Sequence, residues 1–231
     1  MHIYQRQHPP VCAIAPRVAP AANLSPCPSR GHTTDDTLSR LAAAAVKRQQ
    51  YAQALRLMGQ LIERHPQQAM YYSNRGLVHL RLGQPKAALA DCDRAVTLGP
   101  NLDQAYNNRA LCRAALGHLA AALDDYERAV DLNPFNSRAR INLGATLRQL
   151  GDFEGALDCF DEALMFHQLP EFIYAERGRT YHLRGDWNCA LADYHRTLST
   201  ASASAPNPQL QALVRRVKQY INELLPQQQV A

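Results

Sequence analysis

Tyr71–Pro100 reads Y-Y-S-N-R-G-L-V-H-L-R-L-G-Q-P-K-A-A-L-A-D-C-D-R-A-V-T-L-G-P, and a shift of 34 residues brings the same pattern back. Gly76, Ala110, Gly144 and Gly178 fall in register, as do Gly83, Gly117, Gly151 and Gly185. Ala88, Ala122, Ala156 and Ala190 follow, then Ala95, Ala129 and Ala163, with Thr197 closing that series. One period upstream, Leu41, Tyr51, Ala54, Leu61 and Pro66 form a weaker first copy. A fixed period of this length marks stacked helix pairs, each burying its apolar face on its neighbours. The spacing predicts an all-α solenoid of five helix pairs, with units at 35–68, 69–102, 103–136, 137–170 and 171–204. In each unit a first helix of roughly four turns meets a glycine (Gln49 in the first copy), and a second helix runs toward Pro66, Pro100 or Pro134. In the fourth unit Gln168 takes the proline's place and Pro170 follows, so the joint between repeats four and five should bend differently.

An aromatic near the start, small residues where two helices touch, and Pro66, Pro100 and Pro134 closing their units resemble the tetratricopeptide repeat (TPR) pattern. The resemblance covers 35–204. It implies a right-handed α-solenoid whose first helices line a concave groove, whose second helices form the convex back, and whose partners are proteins or peptides.

The flanks read differently. Residues 1–34 carry six prolines, three arginines (Arg6, Arg17, Arg30) and no acidic residue. Proline at this density cannot hold a helix, which predicts a disordered basic tail; an organelle transit peptide is the alternative. Leu24–Cys27 has the outline of a lipoprotein cleavage box, but no apolar core precedes it. After the 201–208 linker, Leu210, Leu213, Val214, Val217, Tyr220, Ile221 and Leu224 form a helical stripe with Arg215, Arg216 and Lys218 opposite. A solenoid needs an end piece with one polar face, so 207–225 is expected to cap the array, with 226–231 a frayed tail.

Composition narrows the class. At 231 residues and 46% hydrophobic content the chain can bury a long, thin core. No apolar run approaches the roughly 20 residues of a membrane span, which predicts a soluble, cytoplasmic protein, or one of an organelle stroma or matrix if the leader is a transit peptide. Six cysteines without C-x-x-C spacing and nine scattered histidines predict small apolar packing in a reducing compartment, with no metal site and no cofactor.

Two charge patterns stand out. The place before the first glycine holds Arg75, Arg109 and Arg177 in repeats two, three and five, and Leu41 and Leu143 in one and four. Sixteen residues later the same repeats carry Asp91, Asp125 and Asp193, against Leu57 and Cys159. Arginine accompanies aspartate; leucine accompanies an uncharged residue. The two places face each other across the TPR helix pair, so three structural ion pairs are expected, their arginine stems packing as leucine would. Coincidence of surface charge is the alternative. The second pattern is polarity: the five first helices hold 13 Lys/Arg against 5 Asp/Glu, a net +8, and the intervening second-helix segments carry net −8. A basic inner wall attracts acidic partners.

Asn74, Asn108 and Asn142 stand two before the first glycine of consecutive repeats, a place that points into the groove of a TPR superhelix. An asparagine amide bonds both C=O and N–H of an extended backbone. The series resembles the asparagine ladder in the TPR superhelix of O-linked GlcNAc transferase and one part of the co-chaperone carboxylate clamp. The rest of that clamp is incomplete: Arg138 fits one basic place, but Asn142, Ser73 and Leu77 occupy three others, so chaperone C-terminal tails are not expected ligands. Asn107, Arg40, Lys47, Arg81, Arg148 and Arg179 are expected to complete the peptide-binding groove. Bonding between neighbouring helices competes with this reading of the amides, and solvated charge with that of the arginines.

With no glycine-rich phosphate loop, metal-ligand set or paired nucleophile and base, the expectation is a non-enzymatic interaction scaffold or co-chaperone-like assembly adaptor that grips an extended acidic peptide or partner surface. A helical-repeat RNA binder is the alternative, prompted by pI ≈ 9.0 but lacking aromatic stacking platforms in the groove.

Overall fold

The computed structural model describes residues 33–205 and 207–224. The expectations for the leader and for 226–231 lie outside these residues, as do Cys12 and Cys27. Eleven helices follow in order among the described residues: α1 (Thr33–Lys47), α2 (Tyr51–Arg64), α3 (Ala69–Arg81), α4 (Pro85–Leu98), α5 (Asp103–Ala115), α6 (Leu119–Leu132), α7 (Ser137–Leu150), α8 (Phe153–Leu164), α9 (Pro170–Arg184), α10 (Trp187–Ala203) and α11 (Pro208–Leu224). There are no strands among them. The fold is an all-α solenoid in which each helix packs on the next.

The period explains the packing. Ala54, Ala88, Ala122, Ala156 and Ala190 are all fully buried on the second helices. They let the paired helices approach closely. The facing glycine is needed for the same reason: a Cβ on Gly144 would lie 2.9 Å from the Phe160 ring and 3.1 Å from the Ala156 carbonyl. Between the helices of a pair, Gly83, Gly117, Gly151 and Gly185 take positive φ, and Gln49 takes φ 61° at the same place without being glycine. Thr197 is buried and satisfies its hydroxyl on the Asp193 carbonyl at 3.0 Å.

The inner and outer walls follow from which helices meet. Successive first helices pack on one another (α3 on α5, α5 on α7, α7 on α9), whereas successive second helices have no comparable packing. The first helices therefore crowd the inside of the curve. At the joint after α8, the chain uses two left-handed non-glycine residues, His167 (φ 52°) and Leu169 (φ 55°), before Pro170 opens α9.

At the far end α11 packs on α10 and α9. Leu210, Leu213, Val217 and Leu224 are buried with Tyr194 and Ala201, and Val214, Tyr220 and Ile221 lie against that cluster. Of the basic residues on this helix, Arg216 turns inward to Glu176 (3.2 Å), while Arg215 and Lys218 are exposed.

Candidate functional site: the inner wall

Arginine and aspartate meet in three repeats. Arg75 Nε and Nη2 donate to Asp91 at 2.8 and 2.6 Å, those of Arg109 to Asp125 at 2.9 and 2.6 Å, and those of Arg177 to Asp193 at 2.7 and 2.8 Å. These are two-pronged, charge-assisted bonds. The aspartate raises the pKa of each arginine above its ordinary value, with burial opposing. One turn before each arginine a tyrosine supplies a ring: Tyr72, Tyr106 and Tyr174 have the guanidinium over them at 5.7, 5.4 and 5.6 Å. Repeat four exchanges the whole set. Arg140 stands at the tyrosine's place, pairs with Glu162, and lies 5.3 Å over the Phe166 ring.

Two of these arginines also reach a second carboxylate. Arg109 contacts Asp93 at 3.4 Å, and Arg177 contacts Asp161, each on the second helix of the preceding repeat. One guanidinium thus ties its own repeat to its neighbour. Sequence reasoning missed these partners. The signal was present only in part, since the same place holds Gly59 before Arg75 and Glu127 before Leu143. It also missed the first residue of the units. Asp35 accepts from Arg64 (2.8 Å) and sits 2.7 Å from His65; Asp103 accepts from Asn133 and Asn136 at 3.0 and 2.8 Å. Each closes the start of a repeat onto its own end.

The asparagines form a chain across the inner helices. Asn142 Nδ2 donates to Asn107 Oδ1 (3.0 Å), Asn107 Nδ2 to Asn108 Oδ1 (3.2 Å), and Asn108 Nδ2 to Ser73 Oγ (3.0 Å). All four residues are buried. The chain registers α7 on α5 and α5 on α3, so these amides spend a donor inside the wall. Asn74 is 9% exposed and has no side-chain partner among the described residues.

The remaining inner-wall cations divide into two groups. Arg148 donates to the Glu176 carbonyl (2.9 Å), the Thr180 hydroxyl (3.2 Å) and the Glu176 carboxylate (2.7 Å). Arg179 stacks 4.4 Å over Tyr220 of α11, with Glu223 at 3.9 Å. Arg40 pairs with Asp36 at 3.0 Å on an exposed turn. Arg81 and Arg138 differ. Neither has a carboxylate partner among the described residues, and each keeps a buried N–H without a hydrogen bond, Nη2 of Arg81 and Nε of Arg138. Burial lowers the pKa of both below the ordinary arginine value. Lys47, at the end of α1, is exposed and stands one period before Arg81.

No group of three or more His, Cys, Asp or Glu that could hold a metal occurs among the described residues. Cys92 and Cys112 lie 3.9 Å apart, sulfur to sulfur, both fully buried. Their contact and burial push the Cys92 thiol well up, and burial pushes Cys159 up to about 11. No described helix is long and apolar enough to cross a membrane.

The class is an α-solenoid of helix pairs with a continuous inner wall. The family pattern described as "Tetratricopeptide repeat" matches residues 39–103 and 105–171, more than half of the chain. The chain belongs to the tetratricopeptide repeat family. Among solved structures it is similar to a thermophilic TPR protein of Thermus thermophilus, at 23% identity and TM-score 0.71 over 81% of this chain and 98% of that one. It is also similar to MamA, at 19% identity and TM-score 0.58 over 71% of this chain and 95% of that one. At these identities the likeness is one of fold.

Proposed function

We propose that this chain is a non-enzymatic interaction scaffold whose inner wall takes an extended, acidic segment of a partner protein. The observation that carries the reading is the pair Arg81 and Arg138. Both guanidiniums are drawn partly out of water, without a carboxylate, on helices that line the inside of the curve. Half-buried cations elsewhere in this wall are paired, as Arg75, Arg109, Arg148 and Arg177 are. An incoming carboxylate would supply the missing partner, and charge-assisted bonds of this kind are the stronger ones. Lys47, one period before Arg81, adds a further cation to the first helices, and Asn74 is the amide left to meet a peptide backbone. Asn107, Asn108 and Asn142 enter as the rigid backing of the wall. Arg148 and Arg179 hold its far end against α9 and α11. The buried thiols Cys92 and Cys112 are unbridged, which suits a cytoplasmic setting, whereas Cys189 is exposed and does not pack as the sequence suggests.

Affinity capture from nuclease-treated source lysate tests this, comparing wild type with Arg81→Gln/Arg138→Gln. A protein partner retained by wild type and lost by the variant supports the reading. Material released by nuclease treatment would move the RNA alternative ahead of it.

A further inference from the structure

We propose that the outer edge where repeats three, four and five meet is a second docking surface, one that takes a basic amphipathic helix of a partner protein. Three large apolar side chains gather there. Phe135, in the loop before α7, is 65% exposed, and Met165, just past α8, is 75% exposed. Phe166 packs edge-on against Phe135, ring centroids 5.3 Å apart at 75°, with Arg140 over its face. The aromatic contact joins two successive inter-repeat loops into one patch. The loop that presents Met165 and Phe166 ends in the two left-handed residues, His167 and Leu169. Left-handed backbone at non-glycine residues costs of order 1–2 kcal/mol each. A repeat ending in proline, as at 66, 100 and 134, has no such residue there.

The charge around this patch is mainly acidic. On α6, Asp124, Glu127 and Asp131 recur at helical spacing and are exposed, without ion pairs among the described residues, and Arg128 is the one basic residue of that helix. On α8, Glu154, Asp158, Asp161 and Glu162 fall on one face, and no basic residue occurs on that helix. The stripes lead to the apolar knobs: Asp131, Asp161 and Glu162 each stand four residues before Phe135, Met165 and Phe166. Arg177, Arg140 and Arg184, which pair with Asp161, Glu162 and Glu154, neutralise part of this charge, but the Asp161 and Glu162 side chains remain 55% and 58% exposed. A few aromatic and methionine anchors inside a charged rim are the arrangement that binds an amphipathic helix, the apolar contacts giving affinity and the rim giving orientation and encounter rate. The rim here is acidic, so the ligand helix is basic. Arg81 and Arg138 take no part in these contacts.

The test uses the full chain and a fluorescein-labelled 14-residue Leu/Lys model helix, with a Leu/Glu helix of the same pattern as control. The expected result is saturable anisotropy binding of Leu/Lys only, weakened at least tenfold by Phe135→Ser/Met165→Ser and also by Asp124→Asn/Asp131→Asn/Asp158→Asn. Arg81→Gln/Arg138→Gln should leave it unchanged, so this surface and the inner wall stand or fall separately. Equal binding of Leu/Lys by wild type and Phe135→Ser/Met165→Ser, or of the Leu/Glu helix by wild type, would overturn the proposal. Sedimentation giving a wild-type dimer and a Phe135→Ser/Met165→Ser monomer would also overturn it, by assigning the patch to a second copy.

Discussion

Arg75 and Asp91 show how each member of a pair can depend on the other without the fold depending on the pair. Removing one member of a buried pair strands a charge at a cost of roughly 3 kcal/mol, whereas replacing both with apolar residues is often near neutral. Repeat one already carries Leu41 and Leu57 at these places. Asp91→Leu should therefore lower stability by about 2–3 kcal/mol, and Arg75→Leu/Asp91→Leu by less than about 1 kcal/mol; urea unfolding checks both. Equal losses would mean that the guanidinium is solvated well enough without its partner. Gln49 and His167 are exposed and left-handed. Relief of about 1–2 kcal/mol of Cβ crowding, less up to about 1 kcal/mol for the looser unfolded chain of glycine, predicts a gain of about 0.5 kcal/mol for Gln49→Gly or His167→Gly. The partner choice of the arginines was legible because two columns of the repeat changed together. The asparagine chain was legible only as the competing reading of the amides; its course was not, since it depends on Asn107 and Asn108 pointing to different neighbours from adjacent positions.

At the scale of the element, α11 shows how much a stripe can and cannot reveal. Its apolar face was readable as a helical stripe. That Arg216, on the polar side, would meet Glu176 was not, because α9 departs from its siblings there, carrying glutamate where α3, α5 and α7 carry asparagine. His182 sits in this junction, with Tyr194 and Tyr220 around its ring and Arg179 and Glu223 nearby. Burial first, and then Arg179, lower its pKa below the ordinary 6.5. The unfolded chain therefore takes up the proton first. Stability is fully present above about pH 6.5 and falls as pH drops from there through the folded pKa. Melting followed between pH 7.5 and 5 should show a smaller loss for His182→Gln than for wild type. Parallel curves would place the titrating group elsewhere.

For the whole molecule, the 34-residue period is the fold. Each unit repeats the same contacts, so five copies and the wall each helix faces could be read before any coordinate. The net charge of the inner wall could be read as well, but its use could not. Most of those arginines turn out to serve neighbouring helices, an outcome that depends on which carboxylates stand across each joint. What remains without a carboxylate among the described residues is a small set, Lys47, Arg48, Arg81 and Arg138, and the half-buried Arg81 and Arg138 are its centre. The most direct measurement is an anisotropy titration of the full chain with a fluorescein-labelled twelve-residue peptide of alternating Glu and Gly, at two salt concentrations. The account predicts saturable binding that weakens with salt and falls at least tenfold in Arg81→Gln/Arg138→Gln, with melting unchanged. Equal affinity in wild type and variant would contradict it.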